Sequence, residues 1–126
     1  MRTVRVLVVD DTEHVRQVIG DMLELDGFDV VGRAAGGDEA VALALSGDPH
    51  VVVMDLQMPG IDGLEATRRI RALRPEQQVV LYTAFLDASI EAEARAAGVA
   101  LCLGKVEGMP SLERELSRLT LALSRP

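Results

Sequence analysis

Residues 51–63, VVVMDLQMPGIDG, decide how this chain folds. Val51–Met54 is an apolar run with no polar alternation, as in a strand buried on both faces of a parallel sheet, and it stops abruptly at Asp55. Pro59-Gly60 then marks a turn, and Leu64, Thr67, Ile70 and Leu73 follow at helical spacing. The same strand–loop–helix unit recurs in both directions. Further short apolar runs lie at Val4–Val9, Phe28–Val31, Val79–Tyr82 and Val99–Leu103. Val15, Val18, Ile19 and Met22 form one helical stripe, and Leu112, Leu116, Leu119 and Leu123 another, with Ser111 as its expected N-cap. Gly27, Gly47-Asp48-Pro49, Pro75 and Gly98 punctuate the boundaries. Five strands alternating with five helices predict βαβ units wound into an α/β sandwich on a parallel sheet.

The bulk properties agree. A length of 126 residues suits one domain over residues 1–126 and leaves no room for a second. The chain is 48% hydrophobic but only 2% aromatic, so its core must be built from Val, Leu, Ile and Ala. A net charge of -7 argues against direct binding to nucleic acid or an anionic membrane. The single cysteine, Cys102, has no internal disulfide partner, which suits a reducing compartment. The run at Val6–Val9 ends at Asp10-Asp11 and is no signal peptide, and no apolar run approaches the roughly 20 residues that span a bilayer. The expectation is a cytoplasmic protein.

Polar residues interrupt this pattern where the strands end. Asp10 and Asp11 follow the first strand, Asp55 the third, Thr83 the fourth, and Gly104-Lys105 the fifth. Parallel strands place their C-terminal ends on one edge, where open α/β sheets bind ligands. If the first and third strands are neighbours, three carboxylates converge there. They repel unless a cation joins them, and hard oxygen ligands with room for water and phosphate suit magnesium. An aspartate can attack phosphorus to form an acyl phosphate, and a metal plus a lysine would neutralise the charge that develops. Lys105 is the only lysine; the other twelve basic residues are arginines.

At these residues the chain resembles a response-regulator receiver domain of two-component signalling. The elements that carry the likeness are VLVVDDTEHVR (6–16), VVVMDLQMPGIDGLEATRRIR (51–71), VVLYTAF (79–85) and AGVALCLGK (97–105), together spanning nearly the whole chain. The resemblance implies a flavodoxin-like three-layer sandwich with strand order 2-1-3-4-5. It implies a phosphorylation switch in which Asp55 accepts a phosphoryl group from a histidine kinase or phosphotransfer protein. Magnesium would be held by Asp11, by Asp10 directly or through water, by Asp55 and by the Gln57 carbonyl. Lys105 would pair with Asp55 and then with the phosphoryl oxygens, and Thr83 would report the phosphate. Met58-Pro59-Gly60 and Asp62-Gly63 would shape the adjoining loop. The chain would be no enzyme beyond its own phosphorylation and slow autodephosphorylation. Activation would change a partner-binding face or promote a homodimer through helices 4 and 5. The segment MPGIDGLEATRRIR (58–71) is similar to receivers that precede helix-turn-helix output domains, so a DNA-binding output domain in a longer native chain is an expectation.

Two positions depart from the family pattern. Cys102 stands three places before the lysine, where receivers carry an aromatic that rotates inward, and Val106 replaces the proline after it. Tyr82 and Phe85 flank Thr83 and are candidate substitutes. These departures motivate the alternative of a degenerate receiver that docks partners regardless of phosphorylation. A third reading, a metal-dependent phosphate-ester hydrolase, lacks any sequence sign of a substrate pocket. Gly36-Gly37-Asp38-Glu39-Ala40 resembles a diguanylate cyclase signature, but those domains exceed this whole length, so Asp38 reads as an N-cap. His14 reads as a surface residue and Cys102 as an inert core thiol rather than a redox sensor. No phosphate-cradling glycine motif follows the first strand.

Overall fold

A computed structural model describes residues 3–121. The elements run β1 (Arg5–Val9), α1 (Glu13–Leu25), β2 (Asp29–Ala34), α2 (Gly37–Gly47), β3 (Val51–Met54), α3 (Gly63–Leu73), β4 (Gln78–Thr83), α4 (Ala88–Ala97), β5 (Leu101–Gly104), a 3-10 turn (Lys105–Glu107) and α5 (Gly108–Leu119). The strands form one sheet in the order β2-β1-β3-β4-β5, every pairing parallel. This is the doubly wound, flavodoxin-like topology expected from the sequence.

Alternation along each strand splits the core into two layers. Leu7, Val9, Val52, Met54, Val79 and Leu81 meet α2, α3 and α4, while Val6, Val8, Val51, Val53, Val80 and Tyr82 meet α1 and α5. Because both faces are covered, the central strands show the unbroken apolar runs seen in the sequence. Truncating a fully buried side chain such as Ile70 to alanine would cost about 2–5 kcal/mol.

Local chemistry ends the helices where they end. Asp62 caps α3 by accepting from Glu65 N at 2.8 Å, and Asp87 caps α4 by accepting from Ile90 N at 2.8 Å. Gly98 stops α4 in the left-handed region at φ 96, and a Cβ there would lie 2.2 Å from Arg71 Nε.

Several expectations are corrected. Ser111 is no N-cap: α5 begins three residues earlier, and the Ser111 hydroxyl donates to the Glu107 carbonyl from within the helix. Asp38 is likewise inside α2, whose N-cap is Gly36; its exposed carboxylate lies 3.5 Å from Arg69. The apolar face of α1 is turned from the expected stripe, with Leu23 buried while Val18 and Met22 are exposed. Leu73 is exposed as well. β2 continues through Gly32-Arg33 to Ala34 because β1 offers it parallel partners to Val9, and as an edge strand it is mostly half-buried. β5 starts at Leu101, because Val99 N is spent on the Ala94 carbonyl at the end of α4. Leu123 lies outside the described residues.

Candidate functional site

The sheet ladder delivers the acidic residues to one place. Beyond the ends of β1 and β3, Asp10 N donates to Ala34 O and Asp55 N to Val9 O, each at 3.0 Å. Both residues thus stay in register with the neighbouring strand. The carboxylates of Asp10, Asp11 and Asp55 converge, with one ligand oxygen from each within 4.8 Å of the others. Asp10 and Asp55 are buried and Asp11 is exposed, so the cluster reaches solvent at Asp11.

Every oxygen of Asp10 is engaged. Oδ1 accepts from Thr12 N at 2.9 Å, Oδ2 from Lys105 Nζ at 2.7 Å, and the carbonyl from Arg16 Nη1 at 2.8 Å. Asp55 Oδ1 accepts from Leu56 N at 2.9 Å and lies 3.6 Å from Lys105 Nζ. Lys105 therefore bonds Asp10 more closely than Asp55, a geometry the sequence did not disclose. Burial, reinforced by the Asp10 charge and only partly offset by Lys105 and the Leu56 N–H, pushes the Asp55 carboxyl up to about 6. For Lys105, burial opposes the charge, but the Asp10 hydrogen bond and the Asp55 and Asp10 carboxylates outweigh it and hold the ammonium above its ordinary value.

Three carboxylates gathered beside one ammonium leave a pocket short of positive charge. A hard divalent cation with oxygen ligands and open water positions would supply it, so the donor set fits magnesium.

Thr83 ends β4, buried, and its hydroxyl oxygen lies 3.5 Å from Phe85 N. Gln57 sits exposed two residues beyond Asp55, and Met58 is buried beneath the loop. Gly63 closes that loop: its N–H donates to Leu56 O at 2.8 Å, and a Cβ there would come within 2.0 Å of the Asp55 carbonyl oxygen. The sequence signalled Asp62-Gly63 as loop-shaping but not this contact. Nor did it flag Arg16, which reaches the site from the first turn of α1 and carries no local signature.

The flanking candidates part company. Phe85 is 70% exposed and does not point inward, whereas Tyr82 is buried on the α1–α5 face of β4. Burial raises its phenol, with Lys105 lowering it and Glu107 raising it further. Cys102 is half-buried, and its thiol is pushed up chiefly by burial and then by Glu91. His14 is exposed. A second cavity, about 570 Å³, lies at the opposite sheet edge, lined by Asp48, His50, Arg74 and Gln77 among others, and shares no residue with the acidic cluster. Among the described residues, no helix is long and apolar enough to cross a membrane.

Comparison with known proteins gives consistent results. A family model described as "Response regulator receiver domain" matches residues 6–117. The response regulator GacA of Pseudomonas protegens is 41% identical over 123 residues, covering 97% of this chain. This chain spans only 57% of that relative's length. Among solved structures, the signal receiver domain of response regulator NarL from Mycobacterium tuberculosis superposes with a TM-score of 0.86 at 30% identity, covering 99% of this chain and 100% of that one. The response regulator TrrA of Thermotoga maritima, solved in complex with Mg(2+)-BeF, gives 0.83 at 28% identity, covering 93% and 99%.

Proposed function

This chain belongs to the response regulator receiver domain family, and from that membership we propose that residues 1–126 act as one phosphorylation-dependent switch with Asp55 as its acceptor. The observation that carries the reading is the convergence of Asp10, Asp11 and Asp55 around Lys105.

At neutral pH a carboxyl titrating near 6 is ionised in about ten molecules to one, so Asp55 is a competent nucleophile. Its oxygen forms a bond to phosphorus as the bond from phosphorus to a histidine nitrogen of the donor breaks. The donor is a histidine kinase or phosphotransfer protein. Asp10, Asp11, Asp55 and the Gln57 carbonyl would hold magnesium, which when bound neutralises charge on the phosphoryl oxygens. Lys105, which pairs with both Asp10 and Asp55, would place its ammonium against the same group. Thr83 donates its hydroxyl to a phosphoryl oxygen and so registers the modification. The result is a two-state equilibrium biased by new charge-assisted bonds, expressed as a changed partner face or a homodimer through α4 and α5. In a longer native chain, the output would be a DNA-binding domain. The chain turns over no external substrate on this reading, only its own acyl phosphate.

The test uses the chain's single tyrosine, which no tryptophan obscures. Beryllofluoride or acetyl phosphate with magnesium should change Tyr82 fluorescence and, for acetyl phosphate, add one phosphoryl mass. Both changes should vanish in Asp55→Asn. A mass increase that survives that substitution, or none in the wild type, would overturn the reading.

A further inference from the structure

Asp10 presents four polar handles, and the structure occupies all of them. Its N–H goes to Ala34 O, its two carboxylate oxygens take Thr12 N and Lys105 Nζ, and its carbonyl takes Arg16 Nη1 at 2.8 Å. The Arg16 contact differs in kind, because that carbonyl belongs to the peptide joining Asp10 to Asp11. Fixing its direction fixes the peptide plane, and with it the direction in which the Asp11 backbone leaves β1. That backbone direction sets where the Asp11 Cα–Cβ bond starts, and so what its exposed side chain can reach. That carboxylate nevertheless lies within 4.8 Å of those of Asp10 and Asp55. Arg16 is itself anchored: its own N–H donates to Thr12 O at 2.9 Å in the first turn of α1, and it is half-buried.

We infer that Arg16 is a positioning residue for the metal site: its guanidinium, through the Asp10 carbonyl, holds Asp11 beside Asp10 and Asp55. The inference rests on the proposed metal-dependent reading and adds a residue to it. Its sign is informative because charge and position pull in opposite directions. A cationic guanidinium next to a site for a divalent cation repels that cation, so by charge alone its removal would tighten magnesium binding. If its role is to orient the ligand turn, removal weakens binding instead. Loss of a group that orients a metal ligand typically costs 10–100-fold in affinity.

The experiment titrates wild type, Arg16→Gln and Arg16→Lys with magnesium chloride alone, followed by Tyr82 fluorescence and calorimetry. Exchange of the Thr12 amide, which reports the Asp10 turn, is measured in parallel in EDTA. We expect Arg16→Gln to raise the Kd for magnesium about tenfold at the lower end of that range, and to speed Thr12 amide exchange. Arg16→Lys keeps the charge but not the planar fork and should also weaken binding. Should Arg16→Gln fail to fold, Arg16→Lys carries the comparison. Unchanged or tighter binding in a folded variant overturns the positioning role. A wild type that binds no magnesium overturns the proposed function instead; Thr12 exchange then still decides whether Arg16 holds the turn.

Discussion

Asp55→Asn should make the metal-free protein more stable at pH 8, although it removes the proposed acceptor. Asp55 titrates at about 6 in the folded chain against an ordinary 3.8, so the folded state holds its proton more tightly than the unfolded state. For a carboxyl raised in this way, stability is fully present below the unfolded value and is lost as pH rises through the folded one. A rise of about two pH units, at roughly 1.4 kcal/mol each, means that ionised Asp55 costs up to about 3 kcal/mol above pH 6. Asparagine is neutral throughout and avoids that cost. In EDTA the two proteins should therefore match near pH 4 and diverge between pH 4 and 6. At pH 8 the variant should lead by up to about 3 kcal/mol, or about 10 °C in Tm for a domain of this length. Urea denaturation across pH 4–8, followed by circular dichroism, measures the divergence directly. Magnesium should erase it by stabilising the wild type alone. A variant less stable than wild type at pH 8 in EDTA would refute the claim that burial and Asp10 outweigh Lys105 at this carboxyl.

Gly63→Ala should cost at least the ~1–3 kcal/mol typical of overpacking, because its Cβ would fall 2.0 Å from the Asp55 carbonyl oxygen; chemical denaturation checks the loss, and a neutral outcome would mean that the loop yields freely. Lys105→Ala removes the one charge that lowers the Asp55 carboxyl, so its titration, followed by carboxyl carbon NMR, should move above about 6. The same variant leaves Asp10, 1% exposed, without its ammonium partner and should lose about 3–5 kcal/mol in EDTA, also read by denaturation. Magnesium at a hundred times its Kd should add about 2.7 kcal/mol to wild-type stability, reversed by chelation and absent when Asp10 and Asp11 are both replaced by asparagine. Cys102 should react with iodoacetamide at pH 8 more slowly than a free thiol, since burial and Glu91 hold it protonated; faster labelling would contradict that environment.

How far the sequence disclosed this arrangement depends on the range of the interactions involved. The central strands were legible because both faces are buried, so Val51–Met54 is copied into the structure without change. Edge strands were not: β2 is half-buried, and only pairing with β1 extends it through Gly32 and Arg33. Ser111 and Asp38 look like caps one residue at a time, but capping depends on where the preceding loop releases the chain, and Glu107 and Gly36 take those places. Parallel strand ends share an edge, so the sequence brought Asp10, Asp11, Asp55 and Lys105 to one side of the sheet, and the pairing of β1 with β3 then makes the carboxylates converge. Their preferences did not. That Lys105 lies closer to Asp10, at 2.7 Å, than to Asp55, at 3.6 Å, and that Arg16 holds the Asp10 carbonyl, are matters of ångströms, which residue types do not encode.

The two faces of the sheet beside Asp55 are packed unequally. On the α4 side, Cys102 pairs in register with Leu81, and a hollow of about 170 Å³ lies beside it, lined by Glu91, Arg95 and Val99. A small side chain next to empty space transmits displacement poorly, because neighbouring groups can move into the gap instead of pushing one another. On the α5 side, Tyr82 adjoins Thr83 in β4 and packs in the layer that holds Leu103, Leu112 and Leu116, and Lys105 and Glu107 lie close enough to perturb its phenol. Close-packed layers of this kind shift as units. On the proposed reading, a shift of Lys105 would meet the packed layer beneath α5 on one face of the sheet and this hollow beside α4 on the other.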